Sequence, residues 1–315
     1  MMRAFLTPRF AGMLVLAVII ALLPALLQNN FQYDIAIRVA FNATVVIGLN
    51  LLIGYTGQIS LGHAGFLGLG AYFSAITVTN FGWPPVVALV VAALIVGTLA
   101  FVVARPILRL KGHYLAMATL GLGIIIAIIL NQEAWLTGGP DGMSVAPFSI
   151  GGYELYTQKQ WYWVAGAILL IAAWLSLNII DSPVGRALRA VHGSEVAAEV
   201  VGVDTTRFKV LVFVISAVFA SVVGSLHAHY VMFLSPIDAG FFHSVELVIM
   251  VVLGGMASTF GAIVGAAILT SLPQVLTFLE DYEHMIFGLI MMLVMIFLPK
   301  GIVPSLQGLL KRDAK

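Results

Sequence analysis

The 315-residue chain is 61% hydrophobic and only 9% charged, whereas soluble domains are about 45–50% apolar and about 25% charged. This composition excludes an ordinary soluble globular protein, and the lack of cysteine excludes disulfides, thiolate metal sites and cysteine nucleophiles. The net charge of +1 says little as a total, so the positions of the charged residues carry the information.

The apolar residues come in runs of roughly 16 to 22, the length at which a helix crosses a hydrocarbon core of ~30 Å. They lack the alternating pattern of a membrane β-barrel. The run at 11–27 is too long for the core of a signal peptide and predicts an uncleaved first span. The stretch at 244–276 is too long for one span, and Gly254–Gly255 divides it into two helices. The sequence predicts an all-α polytopic transmembrane bundle of about ten spans, at 11–27, 35–53, 61–79, 85–104, 114–130, 161–180, 210–230, 244–253, 258–276 and 284–298.

The basic residues orient this bundle, because short cytoplasmic loops collect Lys and Arg. With a cytoplasmic N-terminus, 13 of the 15 basic residues fall in cytoplasmic segments, and the acidic stretch 280–283 falls outside. The cytoplasmic basic residues are Arg3, Arg9, Arg105, Arg109, Lys111, Arg186, Arg189, Arg207, Lys209, Lys300, Lys311, Arg312 and Lys315. We therefore expect both termini in the cytoplasm, a single domain over residues 1–315, and a cytoplasmic loop at 181–209 within it.

The loop at 181–209 has the pattern of two short helices. Its start and stop residues are Ser182, Pro183, Gly193, Ser194, Gly202 and Asp204. The apolar stripe of the first helix is Val184, Ala187, Leu188 and Val191. The second helix, at 195–201, is too short to be stable alone in water and has to lean on another surface. It is either a docking element for a cytosolic partner or a connector that rests on lipid headgroups.

Residues 194–202, Ser-Glu-Val-Ala-Ala-Glu-Val-Val-Gly, resemble the "EAA…G" loop of bacterial ABC-importer permeases. In that family the loop forms a coupling helix that sits in a groove of the ATPase. Val196 stands where the general motif has alanine. The resemblance implies an ATPase-coupling role for Arg186, Arg189, Glu195, Ala197, Ala198 and Gly202.

Three further blocks resemble the branched-chain amino acid permease family, and in particular the longer of its two paired permeases. They are GLNLLIGYTGQISLGHAGF at 48–66, LTGGPDG at 136–142, and VLGGM at 252–256 followed by Gly261 and Gly265. The resemblance implies a multi-pass permease subunit of the bacterial inner membrane that transports leucine, isoleucine, valine or a related amino acid and is not an enzyme. Urea, amides or small aromatic acids are the alternative substrates within the same family.

The same resemblance implies the partners. They are two cytosolic ATPase subunits that use ATP and magnesium, a second permease subunit that we expect to be a paralogue, and a periplasmic substrate-binding protein. No cofactor is expected on this chain, because no lysine follows a glycine and the GxxxxGK[ST] phosphate loop is therefore absent. The bilayer is the remaining partner, and no nucleic acid is expected.

The glycine-rich stretch 54–70 has two interpretations. The spacings of Ala64 with Gly68, Gly70 with Ser74, and Gly261 with Gly265 are typical of close helix packing. Glycines also expose backbone that can bind a substrate. In the second interpretation the polar residues Gln58, Ser60 and His63 would contact the translocation pathway.

Glu246 is the clearest ionisable residue inside a predicted span, and such residues are candidates for function. It lies one helical turn from His243, so the two can pair, as can Asp34 and Arg38. The rival function, an ion-coupled secondary transporter, needs several buried carboxylates, and Glu246 is essentially the one candidate. No nucleophile and base pair for an intramembrane hydrolase is evident.

Two further features complete the sequence prediction. The turn-rich segment around Thr137, Gly138, Gly139 and Asp141 faces the periplasm in this topology. There it contacts a binding protein, lines the mouth of the pathway or forms an ordered plug. His227 and His229 are two residues apart and point to different helix faces, so packing is expected rather than shared metal ligation.

Overall fold

The computed structural model describes residues 8–275, 283–298 and 301–305, and within them the chain is a bundle of thirteen α-helices. The helices are α1 (Pro8–Leu26), α2 (Asn30–Thr56), α3 (His63–Phe81), α4 (Pro85–Ile107), α5 (His113–Gln132), α6 (Ala134–Thr137), α7 (Gln158–Asp181), α8 (Pro183–Gly193), α9 (Glu195–Val200), α10 (Thr205–Val231), α11 (Phe241–Gly254), α12 (Thr259–Val275) and α13 (Glu283–Phe297). The all-α prediction omitted four two-residue strands, which are β1 (Met143–Ser144), β2 (Ser149–Ile150), β3 (Tyr153–Glu154) and β4 (Phe233–Leu234).

Every predicted span is a helix, which confirms the prediction of a helical membrane protein. Among the described residues, six helices are long and apolar enough to cross a bilayer, namely α2, α3, α4, α5, α7 and α10. Most of α1, as well as α11 and α12, forms shorter apolar helices of 10–17 residues. The number of ten crossings therefore stays a prediction.

Helices α2 and α10 form the centre of the bundle. α10 packs on α2, α3 and α4, and α2 also packs on α7 and α12. In contrast, only 22% and 28% of the most apolar stretches of α4 and α5 are buried inside the protein. The two central helices are therefore enclosed by protein, whereas α4 and α5 present apolar faces to the surroundings.

The α3–α10 contact is a backbone contact made through glycines. A Cβ at Gly224 would lie 2.0 Å from the Leu67 carbonyl oxygen, and one at Gly70 would lie 2.3 Å from the Ser221 carbonyl oxygen. Such distances leave no room for a methyl group. The predicted packing role of the glycine stretch is confirmed at this interface.

The turn between α11 and α12 divides the long apolar stretch as predicted. Gly255 has a φ of +117°, and Ala257, two residues further on, is held by two side chains of α2. The side-chain Oδ1 of Asn50 accepts a hydrogen bond from the Ala257 amide at 3.0 Å, and the Tyr55 hydroxyl donates to the Ala257 carbonyl oxygen at 2.7 Å. These bonds hold the turn against α2, so that α11 ends there as a short helix and the chain turns into α12.

The bundle has two ends, which we call the α9 end and the strand end after the elements they carry. At the α9 end, a Cβ on Gly57 would contact His192 of α8, and Lys111 lies near Glu195 of α9. At the strand end, Thr79 accepts a hydrogen bond from the Ala146 amide at 3.1 Å. The connections after α2, α4 and α7 thus lie at the same end of the bundle. This is expected if consecutive spans run in alternating directions.

We expect Gly224→Ala to lower the free energy of unfolding by about 1–3 kcal/mol, because the added methyl group overpacks the α3–α10 contact. Thermal unfolding of the purified protein in detergent measures this change. Gly121→Ala is the matched control: its Cβ would meet nothing within 4 Å, so its stability should be unchanged or slightly higher. Equal unfolding temperatures for the two variants would contradict the packing assignment.

Candidate functional site

Helix α8 forms as the sequence predicted. The Ser182 hydroxyl accepts a hydrogen bond from the Val184 amide at 3.1 Å, and Pro183 occupies the first position. The predicted stripe faces the protein: Val184 is partly buried, and the other members, Ala187, Leu188 and Val191, are buried. Since this face packs on α2, α7 and α10, the stripe of α8 is covered by protein rather than by lipid headgroups.

Helix α9 begins at the predicted residue, Glu195, and ends at Val200, one residue before the predicted end. The Ser194 hydroxyl accepts a hydrogen bond from the Ala197 amide at 3.3 Å, and Gly202 takes a left-handed φ of +84° just beyond the helix. Asp204 then caps α10 by accepting from the Arg207 amide at 2.9 Å. A side chain at Gly202 has space around it, so the backbone conformation alone favours glycine there.

An ion pair fastens α9 to the rest of the bundle. The Glu195 carboxylate pairs with Lys209 at the start of α10, and its other oxygen lies 3.6 Å from Lys111 in the α4–α5 connection. The Lys209 side chain is only 5% exposed, so the nearby carboxylate offsets the cost of burying its ammonium group. The sequence analysis missed this contact, because the pair is separated by fourteen positions and has no helical spacing.

The two faces of α9 have different surroundings. Ala198 is 2% exposed and packs on the chain itself. Ala197 is exposed. The solvent-facing apolar side chains are Val196, Val200 and Val201, which are 67%, 82% and 75% exposed. We call these three residues the valine face.

The two arginines of α8 are both exposed but differ in their contacts. The Arg189 guanidinium donates to the Ile180 carbonyl oxygen at 3.1 Å, and so bonds a carbonyl at the end of α7. Arg186 projects from the same end of the bundle. The predicted coupling residues thus divide into two groups: Glu195, Ala198 and Arg189 touch the bundle, while Arg186 and Ala197 face outward.

The predicted pathway residues near α3 lie in the interior. His63 is fully buried, with Nδ1 2.8 Å from the Ser60 hydroxyl and Nε2 2.7 Å from the Ser216 hydroxyl of α10. Gln58 is also buried, and neither amide atom has a hydrogen-bond partner among the described residues. The structure therefore joins Ser60 and His63 in one polar contact across α3 and α10, and it places Gln58 apart from that contact.

Glu246 belongs to a group of polar side chains at the strand end. The predicted pairs form: Glu246 lies 3.2 Å from His243, and Arg38 lies 2.8 Å from Asp34. The Tyr230 hydroxyl of α10 donates to the other oxygen of Asp34 at 2.5 Å. We call this group the strand-end cluster, and its members are Asp34, Arg38, His227, Tyr230, Asp238, His243 and Glu246.

Asp238 lies in the connection between α10 and α11 and interacts electrostatically with other members of the strand-end cluster. Partial burial raises the pKa of its carboxyl group above the usual range, and interaction with the nearby His243 and Arg38 side chains opposes this change. The carboxyl group is therefore close enough to both side chains to interact with them.

The residues predicted to face the periplasm, Thr137, Gly138, Gly139 and Asp141, lie in an ordered turn. The Thr137 hydroxyl donates to the Leu130 carbonyl oxygen at 2.7 Å and accepts from the Gly139 amide at 3.1 Å. Thr137 and Gly139 are buried, Gly138 is partly buried, and Asp141 is exposed. Of the four residues predicted to contact a periplasmic partner, Asp141 is thus the one with an exposed side chain.

The segment between α6 and α7, at 138–157, also packs on the strand end. Strand β1 pairs with β4, and the His229 ring bridges the Ser74 hydroxyl at 3.0 Å and the Ala146 carbonyl oxygen at 2.7 Å. Both ring nitrogens of His229 are engaged in these contacts, which confirms its predicted packing role. The segment is therefore ordered, and its contact with a binding protein stays a prediction.

Comparison with known proteins identifies the family. Residues 31–295 match the family described as branched-chain amino acid transport system / permease component. The chain is 31% identical, over 93% of its length and 75% of the relative, to the high-affinity branched-chain amino acid transport system permease protein LivM of Salmonella typhimurium.

Two more distant relatives extend the comparison. The chain is 25% identical to the permease LivH of Escherichia coli, over 83% of its length and 90% of the relative. It is 25% identical, over 90% of both chains, to the ribose import permease protein RbsC of Haemophilus influenzae. No solved structure matches the chain. The sequence blocks, the helical bundle and these matches agree: the chain belongs to the branched-chain amino acid transport permease family.

Proposed function

We propose that this chain is the permease subunit of an ATP-driven importer that moves branched-chain or related amino acids across the bacterial inner membrane. The proposal rests on the placement of helix α9. It presents the valine face to solvent, while the pairing of Glu195 with Lys209 holds its other face on α10. A partner that pushes on α9 would move α10 and the helices packed on it.

The absence of an ATP-binding motif from the sequence indicates which roles fall to partner subunits. The sequence has no phosphate-binding loop, so two separate cytosolic ATPases would bind ATP and magnesium and dock on the valine face. A second permease, which we expect to be a paralogue, would complete the translocation pathway, and a periplasmic binding protein would deliver the substrate. Urea, amides or small aromatic acids remain the alternative cargo within this family.

The proposal includes ten spans with both termini in the cytoplasm, as the basic residues predict. Lys111 reaches Glu195 of α9, so two of the basic loops that the topology places in the cytoplasm share one end of the bundle. The acidic stretch 280–283 lies outside the described residues except for its last position, as do the basic residues Arg3, Lys300, Lys311, Arg312 and Lys315. Their placement belongs to the proposal.

An ion-coupled transporter fits the structure less well. Such a protein carries its coupling carboxylates deep in the membrane. No acidic residue occupies the middle of α2, α3, α4, α5, α7 or α10, and Glu246 lies near the strand end beside His243. The described acidic residues are thus in the wrong place for an ion relay.

Accessibility labelling tests the topology, because the chain has no cysteine of its own. Val201→Cys should react with an impermeant thiol reagent only from the cytoplasmic side, and co-expression of the ATPase should shield it. Asp141→Cys should react only from the periplasmic side of the same cells. Labelling of both positions from one side would contradict the topology.

The valine face is tested by introducing charge. We expect Val200→Asp to weaken ATPase binding at least tenfold, because the contact would have to desolvate a carboxylate without a partner. Binding of the ATPase to the permease in lipid nanodiscs measures the change. Ile150→Asp, at an exposed apolar position of the strand end, is the control and should leave ATPase binding unchanged. Unaltered binding by Val200→Asp would reject the docking surface.

The link between α9 and α10 is tested at Lys209. Lys209→Met leaves Glu195 without its buried partner and should lower the free energy of unfolding by about 1–3 kcal/mol. It should also lower the amount of substrate transported per ATP hydrolysed. Lys111→Met removes a side chain that is 72% exposed and should change stability by less than about 1 kcal/mol. Wild-type stability and coupling in Lys209→Met would show that the ion pair does not transmit work.

A further inference from the structure

The connection between α4 and α5 carries a group of basic side chains at the α9 end of the bundle. Arg105 lies in the last turn of α4, and Lys111 lies two residues before α5. Leu108 keeps a helical conformation, and its amide donates to the Ala104 carbonyl oxygen, so Arg109 follows Arg105 by one helical turn. All three basic side chains are exposed. We call Arg105, Arg109 and Lys111 the basic patch.

The positive charge of the basic patch is largely uncompensated. The sequence has no acidic residue over positions 35–132. Within the part of the chain that the structure describes, the patch makes one ion pair, in which Lys111 lies 3.6 Å from Glu195, and that carboxylate also pairs with Lys209. The two arginines make no ion pair there. Two guanidinium groups therefore remain available for an anion from outside the chain.

The basic patch lies where the lipid-facing surface of α4 ends. The guanidinium carbon of Arg105 lies 4.7 Å from the centre of the Phe101 ring. Phe101 and Val102 are 44% and 61% exposed, and exposed apolar side chains on a membrane helix face the hydrocarbon. Stacking on Phe101 therefore holds the Arg105 charge at the boundary between hydrocarbon and headgroups, where long basic side chains at helix ends place their charged groups.

The side chains next to the basic patch also suit a bilayer interface. Leu110 lies between Arg109 and Lys111 and is 40% exposed, and Tyr114 at the start of α5 is 73% exposed. Tyrosine is enriched at the level of the headgroups, because its ring is apolar and its hydroxyl is polar. A basic patch that continues a lipid-facing helix and alternates with such side chains favours a lipid over the ATPase, for which the valine face is available.

We propose that the basic patch binds the phosphate group of an anionic phospholipid. The two guanidinium groups take the phosphate oxygens in the bidentate manner that distinguishes arginine from lysine, and the acyl chains lie along the exposed face of α4. Since Lys111 also reaches Glu195, the bound lipid lies beside the contact that holds α9. The inference goes beyond the proposed function, because it concerns the bilayer and does not depend on the cargo.

The uncompensated charge of the basic patch explains why the lipid is anionic. A zwitterionic phospholipid such as phosphatidylcholine carries a positive group beside its phosphate, and the like charges of the patch would repel that group. Phosphatidylglycerol carries the phosphate charge without such a group. Because the patch is exposed, salt should screen the attraction, and we expect the preference for phosphatidylglycerol to fall as the ionic strength rises.

The test is lipid binding to the purified full-length chain in detergent micelles, measured by native mass spectrometry with added phosphatidylglycerol or phosphatidylcholine. We expect the wild-type chain to bind phosphatidylglycerol about tenfold more tightly than phosphatidylcholine, and Arg105→Gln/Arg109→Gln to lose this preference. Arg105→Lys/Arg109→Lys keeps the charge but loses the fork, and it should retain part of the preference. Lys159→Gln/Arg207→Gln removes two exposed cations elsewhere, and this charge-matched control should keep the preference.

Other outcomes would reject the inference in distinct ways. Equal affinity of the wild-type chain for the two lipids would show that the patch binds no anionic lipid, and an equal loss in the charge-matched control would show that net charge alone attracts it. Displacement of the lipid by inorganic phosphate would show that the site takes free phosphate. Loss of ATPase binding by Arg105→Gln/Arg109→Gln in nanodiscs of phosphatidylcholine alone would show that the patch docks the ATPase instead. Wild-type unfolding temperatures verify that the variants fold.

Discussion

The burial of a lysine at the start of α10 is the constraint on which the α9 end depends. Lys209 is almost fully enclosed, and an enclosed ammonium group requires a counter-charge, because burial without one costs several kcal/mol. Glu195 supplies that charge from the first turn of α9. A six-residue helix that would be unstable alone is thereby fixed in place, with the valine face directed outward.

Helix α10 connects α9 with the strand-end cluster at the opposite end of the bundle. It spans 27 residues, or about 40 Å at the rise of an α-helix. Lys209 joins it to α9 near its start, and Tyr230 joins it to the strand-end cluster near its end. The glycine contact with α3 leaves its middle little freedom to bend. A displacement of α9 would therefore reach the strand end as movement of a rigid rod.

Local sequence signals were sufficient for the caps of α8, α9 and α10 and for the short-range ion pairs, whereas α2 and α10 are longer than the predicted spans. Ser182, Ser194 and Asp204 cap the helices expected of them, and Asp34–Arg38 forms at its helical spacing. The contact that holds α9 could not be predicted in this way. Glu195 meets Lys209 only because α9 folds back on α10, and such tertiary pairing leaves no periodic trace in one sequence.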